Sequence, residues 1–216
     1  MNRSLPFSLS PYFMMIAIAL VACQPSQNRE DADRSFIVDE PCRAPCWYGI
    51  MLDGSTREDV YRTLARLPFV DQATVKESPV EYSWIDLDDE IEVYYSCTYL
   101  RHGICGGVVI AGDHVKSIWH WIAYPLTLSD MVGKLGEPSY WSCFPVPGER
   151  PRETAVLYWP ELRIIAEASS RSCPVEGGRL QSTAQVDALE YAVNAKFAGP
   201  NSDPVNWPRW IGFIDD

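Results

Sequence analysis

The chain has 216 residues, of which 47% are hydrophobic, so it is long enough for one large domain or two small ones with a proper core. Its 29 acidic residues against 18 basic ones give a net charge of −11. Without a Lys/Arg cluster, that balance argues against a nucleic-acid surface and against direct binding to an anionic membrane.

At the N-terminus Arg3 precedes an apolar run over residues 13–21 that closes on Leu20, Val21, Ala22 and Cys23. The run is too short to span a bilayer permanently, and residues 1–22 have the build of a secretory signal. The Leu-Val-Ala-Cys segment resembles the lipobox of bacterial lipoprotein precursors. That resemblance implies that Cys23 becomes the first mature residue, with a diacylglyceryl group on its thiol and a further acyl chain on its amine. Losing Arg3 with the signal leaves 17 basic against 29 acidic residues, a net −12. Each buried acyl methylene contributes about 0.8 kcal/mol and two chains suffice for stable anchoring. The expected location is therefore the cell membrane or outer membrane, lipid-anchored and facing the exported side, with the acidic body clear of the lipid. Residues 23–40 are polar and aperiodic at their start and read as a flexible tether.

Six further cysteines remain: Cys42, Cys46, Cys97, Cys105, Cys143 and Cys173. An even number in an exported chain points to disulfides, and the expected set is the local one, Cys42–Cys46, Cys97–Cys105 and Cys143–Cys173. Metal binding has little support, because there is no C-x-x-C and the chain has only three histidines. No metal and no cofactor are expected.

The folded part divides into a first unit over residues 41–124 and a second over residues 125–216. Each begins with the pattern T-x-x-D-Φ-Φ-x-x-L, first at Thr56, Asp59, Val60, Tyr61 and Leu64, then at Thr127, Asp130, Met131, Val132 and Leu135. The threonine can cap the first helical turn, the aspartate sits at the positive end of the helix dipole, and the apolar residues form one stripe. Pro68 and the Gly136-Glu137-Pro138 run stop the two helices. After each helix the apolar period becomes two. Residues 91–99 alternate as a half-buried strand, residues 107–110 and 114–122 read as a hairpin around Gly112-Asp113, and residues 154–159 and 162–168 are strands joined at Pro160-Glu161. Residues 185–191 add another. A helix followed by antiparallel strands, used twice, predicts an α+β fold of two tandem helix-plus-antiparallel-sheet units.

Gly54-x-Thr56-x-x-Asp59-Val60-x-x-x-Leu64 and Thr127-x-x-Asp130-Met131-x-x-x-Leu135-Gly136-x-Pro138 resemble the G-x-T-x-x-E-V-x-x-x-L-G-x-P signature of BamE/SmpA-type lipoproteins. Those share a helix-plus-antiparallel-sheet fold with the β-lactamase inhibitor proteins, and the resemblance implies an assembly accessory or a protein inhibitor. The first copy lacks the terminal Gly-x-Pro, and aspartate replaces glutamate in both. Pro45-Cys46-Trp47-Tyr48-Gly49-Ile50 is similar to a Pro-Cys-Trp-x-Gly-Ile segment of uncharacterised bacterial lipoproteins and implies no activity.

No G-x-S-x-G, H-E-x-x-H, P-loop or dinucleotide fingerprint is present. The acidic run at Asp86, Asp88, Asp89 and Glu90 does not fit a calcium loop, since Ile91 falls where glycine is needed and Cys97 where the bidentate glutamate belongs. His102 could activate a thiolate only if Cys97 and Cys105 were unbridged. The aromatic residues carry the binding expectation: Trp119, His120 and Trp121 at the end of the hairpin, with Trp141, Trp207 and Trp210. Strand alternation places Val115, Ser117, Trp119 and Trp121 on one face and Lys116, Ile118, His120 and Ile122 on the other. The function expected is a lipid-anchored, non-catalytic envelope protein that binds another protein or a surface polymer. The alternative is a surface hydrolase of glycan or peptide that uses carboxylates such as Asp86, Asp88 and Glu92.

Overall fold

Thr56 and Thr127 each start a helix by the same exchange. The threonine side chain accepts from the backbone N–H of the aspartate three residues on, and that aspartate's carboxylate accepts from the threonine's own N–H, at 3.0 Å for Asp59 and 2.9 Å for Asp130. These hydrogen bonds hold both carboxyls below the usual carboxylate range. The computed structural model describes residues 33–80, 90–100, 103–146, 152–170 and 180–193, together with 209, 210 and 213. Cys23, the residues 86–89 of the acidic run, His102, Cys173 and Trp207 lie outside them.

In chain order the elements are α1 (Ser35–Val38), β1 (Cys46–Trp47), β2 (Ile50–Met51), α2 (Arg57–Leu64), β3 (Val70–Pro79), β4 (Glu90–Cys97), β5 (Gly106–Ala111) and β6 (His114–Trp121). Then come α3 (Leu128–Leu135), β7 (Tyr140–Val146), β8 (Arg152–Trp159), β9 (Ile164–Ser170) and β10 (Gln185–Ala192). β3 to β10 form a single antiparallel sheet in the order β3-β4-β5-β6-β10-β9-β8-β7. This overturns the expected α+β class of two helix-and-sheet units: the fold is mainly β. The reason is the pairing of β10 with β6, which fuses both strand sets into one eight-stranded sheet beside which two eight-residue helices are minor. Apolar periodicity finds strands but not the neighbours they choose.

One face of the sheet and the helices enclose the core. Val60 and Leu64 of α2, and Leu128 and Met131 of α3, pack in one cluster with Val93, Tyr95, Val108, Ile110, Ile118, Leu157, Leu189 and Tyr191. Trp47 and Ile50 join it from a tight β1–β2 turn whose central residues, Tyr48 and Gly49, both have positive φ (49° and 88°), as a type I′ turn requires. The Cys42–Cys46 and Cys97–Cys105 disulfides are formed as expected, and Cys143 is also disulfide-bonded.

The end of the expected tether is part of this core. Asp33 and Phe36 are buried; the Asp33 carboxylate accepts from the Trp47 indole N–H at 2.9 Å, the Tyr48 hydroxyl at 3.0 Å and the Ser35 backbone N–H at 2.9 Å. Phe36 lies against Trp47, His120 and Tyr191.

Replacing Thr56 or Thr127 by alanine leaves first-turn N–H groups without their acceptor and is expected to cost about 1 kcal/mol each. Thr56 is bridged to His114 at the start of β6 and Thr127 to Gln185 at the start of the neighbouring, antiparallel β10, so the helix starts lie at opposite ends of that strand pair and urea unfolding of the double variant is expected to show the sum.

Candidate functional site

Sidedness in the middle of the sheet is set by two bulges. Between β5 and β6 the register passes from Val109↔Ser117 to Ile110↔Val115, leaving Lys116 unmatched. Val115 therefore joins Ile118 and His120 in the core, while Ser117, Trp119 and Trp121 point to the opposite face. Strict alternation had put Val115 with the tryptophans, and the extra residue is why it is not there. β10 does the same at Asp187: Val186, Leu189 and Tyr191 face the core, and Ala188 and Glu190 the second face.

Trp119 is fixed on this second face from two sides. It stands opposite Gly107 on β5, where a Cβ would lie 2.5 Å from the indole nitrogen and 2.6 Å from a Glu92 oxygen, so only glycine leaves room for the ring. The indole N–H donates to the Glu92 carboxylate of β4 at 2.6 Å. Trp121 sits two residues along, 42% exposed, its ring at 85° to that of Trp119 with centroids 6.4 Å apart. On the other neighbour of β6, Glu190 stands opposite Trp119 and accepts from the Ser117 hydroxyl. Burial pushes the Glu190 carboxyl up to about 8; the charges of Glu167 and Glu92 add to this and the Ser117 hydrogen bond opposes it. Around these polar groups Val109, Val156, Ile165 and Ala188 are buried apolar residues of the same face, separate from the main core cluster.

Of the expected binding residues that are among the described ones, Trp119 and Trp121 reach this face. His120 is a core residue and a correction: alternation sets it opposite Trp119 and Trp121, on the side of Ile118, which is the core side; it is fully buried, and its Nδ1 and Nε2 lie 3.1 and 2.8 Å from the hydroxyls of Tyr95 and Tyr99. A neutral imidazole has one donor and one acceptor nitrogen, so one tyrosine donates and the other accepts. Burial pushes His120 down to about 4, opposed by the nearby Asp33 carboxylate. The neighbouring Gly106 clears space for the Tyr95 hydroxyl, against which a Cβ would collide. Trp141 is a second correction: it lies opposite Leu157 on the core face of β7 and is buried. Trp210 is half-buried against the core and meets Phe213 edge-on at 5.1 Å.

Cys97, Cys105 and His120 bring their sulfur and ring atoms within 4.8 Å of one another. The sulfurs are bonded to each other and the imidazole nitrogens to tyrosines, so no thiolate is available as a ligand and the arrangement is one of packing. Sequence reasoning overlooked Glu190 and Ser117. Their only signal is a lone polar residue at a second-face position among apolar neighbours. Compared with protein-family models, with curated proteins and with solved structures, the chain finds no match.

The two buried ionisable groups act on stability in opposite directions. His120 stays neutral in the fold below its ordinary 6.5, so the unfolded chain takes up a proton there first, and stability is lost as pH falls from about 6.5 toward 4. Glu190 stays protonated in the fold above its ordinary 4.5, so stability is lost as pH rises from about 4.5 toward 8. Urea midpoints are expected to be highest between about pH 4.5 and 6.5 and to fall toward pH 8. In Glu190→Gln the fall above pH 6.5 should disappear.

Proposed function

We propose that this chain is an exported protein acylated at Cys23 that binds another macromolecule of the cell envelope through the second face of its sheet, without catalysis. The observation that carries the reading is the orthogonal pair Trp119 and Trp121, half-buried and exposed respectively, at the middle of an antiparallel sheet on the side away from both helices. Large aromatic rings give much contact area for few rotatable bonds, and they dominate the energetics of interfaces. Trp119 is held by Gly107 and Glu92 before any partner arrives, so little ordering remains for the moment of binding. The lipobox-like segment supports the location, and the disulfides Cys42–Cys46 and Cys97–Cys105 suit an oxidising compartment.

A hydrolase of glycan or peptide is the second reading, favoured by one feature. Glu190 keeps its proton near neutral pH while Glu92 shares the same face, a division of roles between two carboxyls that acid–base catalysis uses. The binding reading is preferred because each carboxyl has a fixed neutral donor within the sheet, Ser117 for Glu190 and Trp119 for Glu92.

Mass spectrometry of material from the producing cell is expected to find a mature chain beginning at an acylated Cys23, and an unmodified thiol there overturns the anchor. Immobilised protein should retain an envelope component from detergent extract, and Trp121→Ala should lower its affinity about tenfold, or about 1.4 kcal/mol. Retention unchanged by Trp121→Ala overturns the face. Release of sugar or peptide fragments that stops in both Glu92→Gln and Glu190→Gln establishes the hydrolase instead.

A further inference from the structure

We propose that the Cys42–Cys46 disulfide is a thiol-exchange site that takes two electrons from a reduced cysteine pair of another protein, at a place in the fold separate from the second face. The two disulfides whose partners are both described differ in kind. Cys97 and Cys105 are 2% and 0% exposed and belong to the core cluster. Cys42 and Cys46 are only half-buried, lie outside that cluster and stand four positions apart in the segment that runs from α1 into the β1–β2 turn. A bridge at the surface is one that an incoming thiolate can reach, and such bridges are the labile ones of a fold.

Two features around the bridge fit it for exchange. The first is a hydrogen-bond donor. Trp47 and Ile50 pair across the β1–β2 turn, which leaves the amide of the exposed Gly49 outside the ladder, and that N–H donates to the Cys42 sulfur at 3.3 Å. A donor aimed at a sulfur favours its thiolate, and the thiol that ionises more readily leaves faster. Cys42 is therefore the leaving group and Cys46 the sulfur that is attacked. The second feature is room. Beside the bridge lies a groove of about 620 Å³ lined by Arg34, Ser35, Val38, Glu40, Pro41 and Tyr48. Pro41 adjoins Cys42 in the chain and Tyr48 adjoins Gly49, so the groove flanks both ends of that hydrogen bond. Val38, 47% exposed, and Pro41 offer apolar surface, while Arg34 and Glu40 supply one exposed charge of each sign. That mixture suits the residues that flank a cysteine in a polypeptide.

The exchange balances without a further reagent. A thiolate of the partner attacks the Cys46 sulfur, and the Cys42–Cys46 bond breaks with its electron pair on the Cys42 sulfur, beneath the Gly49 N–H. The partner's second thiolate then attacks the partner sulfur of the mixed disulfide and releases Cys46 as a thiolate. The partner ends with a disulfide, having lost two electrons; its two thiol protons end on Cys42 and Cys46. Each chain oxidises one cysteine pair.

The test uses the full oxidised chain and a synthetic peptide that carries a reduced cysteine pair, with thiols trapped by alkylation at intervals and mapped by mass spectrometry. Cys42 and Cys46 are expected to open at least tenfold faster than Cys97 and Cys105, with one peptide disulfide formed per chain. The rate should level off as peptide concentration rises, as a groove requires, and stay linear in dithiothreitol. Once that bridge is reduced, Cys42 should alkylate about tenfold faster than Cys46 at pH 7. The double variant Cys42→Ser, Cys46→Ser, its fold checked by urea unfolding, should oxidise no peptide. Both bridges opening at one rate, in step with unfolding followed by tryptophan fluorescence, overturns the inference, as does peptide oxidation retained in the double variant. A rate linear in both reagents overturns a protein as the partner, and equal alkylation of Cys42 and Cys46 overturns Cys42 as the leaving group.

Discussion

The hydrogen-bonded seam between β6 and β10 organises everything else in this molecule. It joins four strands from the first half of the chain to four from the second, and so decides that there is one sheet. It also fixes what each side of that sheet carries. Leu189 stands opposite His120 on the core side, and Glu190 opposite Trp119 on the other, so a one-residue slip of β10 along β6 would bring the acid into the core and turn Leu189 out of it. Both strands carry a bulge near their start, at Lys116 and at Asp187, and these extra residues pin the register.

The two faces solve the burial of polar groups in related ways. On the core side His120 is kept neutral between two tyrosine hydroxyls, with the Asp33 carboxylate supplied by three donors of its own. On the other side Glu190 is kept neutral by burial and accepts from Ser117. Adjacent glycines serve the two arrangements separately: Gly106 makes room below for the Tyr95 hydroxyl, and Gly107 makes room above for the Trp119 indole. The buried groups of both faces thus lean on two consecutive positions of β5 that cannot carry a side chain.

The parts of this fold that were legible in the sequence are those whose pattern is local. Both capping threonines, the hairpin of β5 and β6, the strands β8 to β10 and two disulfides follow from neighbours in the chain. The strands that escaped reading are the sheet's two edges. β3 buries little of its length and so shows no apolar period, and β7 carries Pro145 within it, a residue that an edge strand tolerates and that breaks a strand pattern. The site was half legible for the same reason. Trp119 and Trp121 advertise themselves by size, whereas Val115 took its true side only through the bulge at Lys116, which depends on what β5 presents across the ladder, and which of the two faces is the core, with His120 in it, is decided by the assembled sheet. Glu190 became visible only once β10 had a partner.

The burial of Asp33 has a mechanical meaning. Asp33, clamped by Trp47 and Tyr48, is buried in the core only ten positions after Cys23, and not at the seventeen counted to residue 40. At about 3.5 Å per residue, ten positions of chain span at most about 35 Å. With Cys23 acylated as proposed, a pull between lipid and sheet would pass through Asp33, whose carboxylate is held by two aromatic donors. On that proposal the folded body, and anything bound to it, begins within about 35 Å of the lipid.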